Sequence, residues 1–357
     1  MQNSSCFLGA NSCNGFYSLF NELYNPEDDW KMYIIKGGPG TGKSSLMKKV
    51  IAEAENRKFI CEKIHCSSDP SSIDAVIIPE LKISIADGTS PHTIEPVYPG
   101  VCEEIIYMGD CWNTKSLKLN SDKIKEITKI NSYWHKKSVK YIKATMIIDK
   151  EIESTLTPVF DKDKADRFII RYSKQLIKTE NDNNKTYRRF LSAVTPEGIS
   201  VHSDTFFNTD DNITVIKDIN SVVSNYIINQ INNIADKKGI NKTVYLCPTN
   251  PDAKTEHIKF NNSGLCLFTA NNYHISPAKK YKTINAERFY YRDEYDKVKN
   301  KIRFFNKAKA ELISEAVNCL KQAKSTHDIL ESYYIAAMDF NKVSEITDTT
   351  IEKIFNS

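Results

Sequence analysis

The stretch IIKGGPGTGKSSLMKKV, Ile34 to Val50, decides the fold. Gly37 to Ser44, GGPGTGKS, satisfies the pattern GxxxxGK[ST]. Before it, MYIIK (Met32 to Lys36) is β-branched and apolar, as a buried strand should be. After it, SSLMKKVIAEAE (Ser44 to Glu55) spaces Leu46, Met47, Val50, Ile51 and Ala54 along one side of a helix. Strand, glycine loop and helix thus follow in the order that a polyphosphate-binding loop requires. Glycines let the backbone close on a phosphate with its amide hydrogens inward, and the helix N-terminus adds partial positive charge.

Gly38, Pro39, Gly40, Thr41, Gly42, Lys43, Ser44 and Ser45 are therefore the expected nucleotide-binding residues. Lys43 would reach the β- and γ-phosphates, and the Ser44 hydroxyl would sit on Mg²⁺. A carboxylate at the end of a neighbouring strand must hold the magnesium shell from the other side. LKISIAD, Leu81 to Asp87, supplies Asp87 at the end of an alternating apolar run, followed by the polar loop GTSPH. The bland reading of Asp87 is a loop cap. Gly88 stands where fast ATPases carry a water-polarising glutamate, so the general base is open among His92, Glu80, Asp69 and Asp74. No NKxD stretch reads guanine, so ATP is the default nucleotide and GTP is not excluded.

Outward from the loop, the chain repeats itself. Lys36 and Lys217 differ by 181, and the same offset lays HCSSDP (from His65) over LCPTNP (from Leu246). FLGANSCNGF (from Phe7) lies over FLSAVTPEGI (from Phe190), and ISIADGTSPH (from Ile83) over CLFTANNYH (from Cys266). In this register Gly42, Lys43, Ser44 and Asp87 meet Val223, Ser224, Asn225 and Thr269. Phosphate ligands are gone, while NITVIK still reads as a strand and SVVSNYIINQINNIA as a helix. Losing ligands costs no folding energy, whereas losing core residues would.

The expected architecture is α/β: two tandem three-layer α/β/α domains, residues 1–180 and 186–357, joined by the polar, flexible ENDNNK (Glu180 to Lys185). Helical stretches over 116–176 and 287–354 read as hairpins appended to each sheet.

The chain resembles a little-characterised family of tandem P-loop ATPases or nucleotide-kinase-like proteins of spore-forming Gram-positive bacteria. The carriers are NGFYSLF (Asn14 to Phe20), KGGPGTGKSSLMKK, HCSSDP, VIIPELKISIADGTSPH (Val76 to His92), YPG at Tyr98 and SAVTPEG from Ser192. The resemblance implies two P-loop domains. Members typically keep a usable loop in both halves, so the degenerate Lys217 to Asn225 is a departure. Slow Mg-ATP hydrolysis in the first half beside a silent second half is the expected function, with Lys43 and Asp87 as its catalytic residues. A phosphotransferase, or an ATP-responsive binding module without catalysis, is the rival.

Composition bounds the rest. The 357 residues suffice for two cores, and 49 basic against 45 acidic residues leave a formal charge of +4, too near neutral to demand nucleic acid. Lys115 to Lys143 is locally basic, with nine lysines against Asp122 and Glu126 and with Tyr133, Trp134 and Tyr141 interleaved. It is either a solvated helix face or a seat for nucleic acid or an acidic partner. Arg167 and Arg171, four apart, are either salt-bridge residues or an arginine finger. The nine cysteines form no CxxC pair, and Cys61, His65 and Cys66 match no zinc spacing, so they read as strand thiols and imidazole in a reducing compartment. No apolar run approaches the roughly 20 residues that span a bilayer, and the expectation is a cytoplasmic chain.

Overall fold

The computed structural model describes residues 3–207, 212–275 and 281–356. The first half contributes β1 (Ser4–Cys6), the hairpin β2 (Gly9–Ser12) and β3 (Gly15–Ser18), β4 (Lys31–Lys36), α1 (Lys43–Asn56), β5 (Glu62–His65), β6 (Ile73–Ile78), β7 (Ile83–Asp87) and β8 (Glu103–Tyr107). Helices α2 (Thr114–Leu119), α3 (Ser121–Leu156) and α4 (Lys162–Ser173) complete it. The second half runs through β9 (Thr186–Arg189), the hairpin β10 (Ser192–Thr195) and β11 (Gly198–Val201), α5 (Ser203–Phe206), β12 (Asn212–Lys217), α6 (Val222–Lys238), β13 (Lys242–Leu246), β14 (Thr255–Phe260), β15 (Leu265–Ala270) and β16 (Lys282–Asn285). It ends in α7 (Arg292–Ile335) and α8 (Phe340–Phe355).

The fold is mixed α/β with two six-stranded sheets of one topology. The first sheet has the order β1-β5-β6-β7-β4-β8, and the second, read from its β9 edge, is β9-β13-β14-β15-β12-β16. In each, only the third strand in that order, β6 or β14, runs against the others. β4 lies between β7 and β8, and its apolar run is buried on both sides. Tyr33 and Ile35 pack with Leu46, Met47, Val50, Ile51 and Ala54 of α1, while Met32 and Ile34 belong to the core that holds Leu19, Phe20 and Leu23. That opposite face is therefore covered by the segment after the β2–β3 hairpin. The second helical layer of a three-layer sandwich is replaced there by this irregular chain.

The halves are interlocked about a pseudo-twofold axis. Phe7 and Phe190, equivalent residues, exchange backbone hydrogen bonds of 2.9 Å in both directions. Arg189 clamps Glu62 across the halves with two bonds of 2.9 and 3.0 Å. Reciprocal contacts follow: Asp161 N donates to Phe289 O, and Asp339 N to Cys111 O, at 2.8 and 2.7 Å. α4 consequently packs on α6 of the second half, and α8 on α1 of the first. Ile354 is buried in the α1 core, with Ile346, Ile351 and Phe355 against it.

The expected intra-half helical hairpins are not formed. α3 pairs with α7, antiparallel, as the links Asn131 Nδ2 to Ala323 O (2.7 Å) and Lys309 Nζ to Asp149 (2.7 Å) require. Apolar spacing specifies a sticky face but not its partner, and the partner here comes from the other half. ENDNNK is likewise not a free linker. Asp182 is buried and accepts from Thr179, Asn241 and Asn262, which pins the crossing between the halves.

Candidate functional site: the glycine loop and its counterpart

The glycine loop joins the end of β4 to α1, on the edge of the sheet where β7 delivers Asp87. Ile35 and Asp87 are register partners, so the carboxylate arrives beside the loop's first residues. Gly40 and Gly42 have φ of 67° and 90°, the left-handed region that side chains resist. A Cβ on Gly37 would meet Thr41 Oγ1 at 2.8 Å and Met108 Cβ at 2.9 Å. Thr41 is buried and donates to Gly38 O at 2.9 Å, which tightens the loop; Pro39 is half-buried and Ser45 exposed.

Lys43 opens α1 and bends back, donating to the carbonyls of Gly37 (3.2 Å) and Gly38 (2.6 Å). Its ammonium lies 3.5 Å from Asp87 Oδ2. The other oxygen, Oδ1, accepts from Thr89 N (2.9 Å) and Thr89 Oγ1 (2.5 Å), so the loop-cap role and the site-facing role coexist in one side chain. Ser44 Oγ accepts from Ile73 N at 3.0 Å, which fixes the hydroxyl against the start of β6. Oδ2 of Asp87 and the Ser44 hydroxyl are the oxygen donors a hard cation needs, so these residues fit magnesium.

Of the candidate bases, Glu80 lies at the opposite end of β7, near Ile60 N. Asp69 caps a turn through Ser71 and lies 3.6 Å from Lys324. Asp74 and His92 pair with each other at 3.2 Å. Arg167 and Arg171 sit on α4, the helix that covers the second half, and Arg171 Nε donates to Arg167 O, so neither is a finger for the first loop. The basic stretch lies on α2 and α3, where Lys137 sits over the rings of Trp134 (5.1 Å) and Tyr133 (5.9 Å).

Residues that sequence reasoning missed come from far along the chain. The C-terminal turns of α7 lie on the glycine loop. Glu331 Oε1 accepts the Gly40 amide hydrogen at 3.1 Å. Hydrogen bonding from His327 holds the Glu331 carboxyl below its usual range, with the Gly40 amide and Lys324 adding to the effect. Tyr334 and Trp112 flank Gly38, with ring centroids 5.9 Å apart. Beside them a groove of about 760 Å³ runs between the halves, lined by Asp110, Trp112, Asn113, Ala336 and Lys342 among others.

The second loop has been closed from within. Asn225 Oδ1 accepts from Thr255 N (3.1 Å), as Ser44 accepts from Ile73, so the repeat register, offset by 181 and then by 182, holds in space. Yet α6 begins at Val222, and Val222 and Val223, the counterparts of Thr41 and Gly42, are already helix. Asp218, the counterpart of Gly37, turns its carboxylate into the space above the helix. It accepts from Ser224 N (2.8 Å), Ser224 Oγ (3.1 Å) and Asn220 N (3.2 Å). Burial pushes its pKa up, against the downward pull of those bonds. An anion of the protein itself takes the helix N-terminus. The available signal was one acidic residue directly after the strand, where the first half has glycine.

No family model matches this chain, and no curated protein or solved structure is significantly similar to it.

Proposed function

We propose that the first half binds Mg-ATP on Gly38 to Ser45 and hydrolyses it slowly, and that the second half is a silent partner that gates the site. The observation that carries this reading is Lys43 and Asp87, 3.5 Å apart at the mouth of a glycine loop whose next residue is Ser44. Loop amides and the Lys43 ammonium would bind the β- and γ-phosphates. Ser44 and Asp87 would hold magnesium, which when bound neutralises phosphate charge. Gly88 offers no carboxylate to orient a water, and slow turnover follows from that.

Glu331 gives the gating its physical form. A triphosphate needs the Gly40 amide that this carboxylate takes, and two anions do not share one such position. Nucleotide would therefore displace the end of α7. ATP is the proposed nucleotide, with GTP as the comparison. Calorimetric titration with ATP, with and without Mg²⁺, on wild type and Lys43→Ala tests the assignment: one site per chain, lost in the variant. Two sites, or none, would overturn it.

A second reading is transfer of the γ-phosphoryl group to an acceptor. The open, mostly polar groove beside Gly38 leaves room for an acceptor and motivates this reading. Phosphate release that rises only with an added acceptor selects transfer over hydrolysis.

A further inference from the structure

Cys66, Asp74 and His92 come from three separate segments: the turn after β5, the second residue of β6 and the loop after β7. One donor atom of each lies within 4.8 Å of the other two. Asp74 and His92 are 5% and 8% exposed. His92 Nε2 pairs with Asp74 Oδ2 at 3.2 Å, while His92 Nδ1 is buried without a hydrogen-bond partner. Buried polar atoms are rarely left so, because an unmade hydrogen bond leaves the desolvation of the group uncompensated. A thiol, a carboxylate and an imidazole are thus brought to one point, where the His92–Asp74 pair and a 3.4 Å bond from Ser68 N to Cys66 Sγ still leave His92 Nδ1 unpartnered.

The second half supplies the contrast. Cys247, Glu256 and His274 hold the equivalent positions, and Glu256, His257 and His274 also cluster. There His274 is hydrogen-bonded, and His257, although its Nε2 also lacks a hydrogen-bond partner, is held through its other nitrogen. His274 Nε2 is 2.9 Å from Ser192 Oγ. His257 Nδ1 accepts from Thr269 N at 3.1 Å, which places its proton on Nε2 and leaves no lone pair for a metal. The counterpart of Ser192 is Gly9, and a Cβ there would lie 2.4 Å from the Phe16 ring, so no hydroxyl can reach His92. The His92 ring is flanked instead by Phe16 and Phe20, at 5.1 and 4.4 Å.

We propose that Cys66, Asp74 and His92 bind a borderline-soft divalent cation of the zinc class. Sulfur, oxygen and nitrogen donors are the zinc set, three protein ligands leave a fourth position, and bonds of about 2.0–2.3 Å need donors roughly 3.3–3.6 Å apart. The 3.2 Å pair stands just short of that spacing. The site is distinct from the oxygen-only magnesium position at Ser44 and Asp87. It is also coupled to it, since Ile73, next to Asp74, holds Ser44, and Thr89, three residues before His92, holds Asp87. The cation clips together the three segments that shape the nucleotide site.

The test uses chelator-treated full-length protein titrated with Co²⁺ as a spectroscopic stand-in, then with Zn²⁺. One equivalent of Co²⁺ is expected to produce a thiolate-to-cobalt charge-transfer band that Zn²⁺ abolishes, and Zn²⁺ is expected to raise the melting temperature. Cys66→Ser removes the band, His92→Gln and Asp74→Asn weaken Zn²⁺ binding by about 100-fold or more, and Cys247→Ser changes nothing. Should Cys66→Ser fail to fold, the wild-type titration and His92→Gln still decide. Absence of the band, its survival in Cys66→Ser, or its loss in Cys247→Ser overturns the proposal.

Discussion

Glu331 and Gly40, 291 residues apart, meet through a 3.1 Å hydrogen bond from the loop amide to the carboxylate. The same kind of group, Asp218, performs the same office inside the second half. One half therefore satisfies its helix N-terminus with its own anion, and the other receives a carboxylate from its sibling.

Removing the sibling's carboxylate should tighten nucleotide binding. Glu331→Gln keeps the size and removes the charge; a charge-assisted bond is worth about 1.5–3 kcal/mol, part of which the glutamine retains, so a gain of about tenfold in ATP affinity is expected by calorimetry. An unchanged or weaker affinity would remove the competition argument.

Lys43→Ala should abolish measurable ATP binding while leaving the melting temperature close to wild type, because among the described residues the ammonium bonds to loop carbonyls and pairs with Asp87. Asp87→Asn should bind nucleotide but lose the enhancement by Mg²⁺. The discriminating measurement is the ratio of affinities with and without the cation; an Asp87→Asn ratio equal to wild type would exclude Asp87 from the metal site.

Asp218→Ala strands the Ser224 and Asn220 amides, and a loss of about 1–3 kcal/mol in chemical denaturation is expected. Asp218→Asn should cost less, since it keeps an acceptor and sheds a charge that burial already disfavours. Neither variant should acquire a second nucleotide site; a second equivalent of bound ATP would show the internal anion to be the only barrier.

His65 and His202 stack across the halves at 4.1 Å, and burial, with His65 adding to it, drives the His202 pKa down to about 4. The unfolded chain takes up that proton near pH 6.5, and the folded one only near 4. Stability is then full above pH 6.5 and erodes as pH falls to about 4. Melting curves across that window should show the slope, and His202→Gln should flatten it. An equally steep slope in the variant would place the acid sensitivity elsewhere.

The first loop was legible because its chemistry is local: the eight residues Gly37 to Ser44 and their flanks contain the whole geometry. The second half was legible as framework through the apolar runs of β12 and α6, and its closed site was not, because Asp218 acts only once the chain turns it onto Ser224. Glu331 was invisible for a related reason. It belongs to a helix face whose period says that something is covered, never what, and the exchange of α4 and α8 between halves decides the answer. Cys66, Asp74 and His92 escaped because their spacing of 8 and 18 residues fits no template; β5, β6 and β7 make them neighbours by pairing side by side.

That exchange bears on how the chain can be taken apart. Cut in the crossing near Asn181, the amino fragment would lack the helix that shields Met47 and Ile51, and the carboxy fragment the one that shields Ile227 and Ile231. Each would carry an orphaned greasy surface and be prone to precipitate alone, whereas co-expressed fragments would rescue one another by returning the borrowed helices.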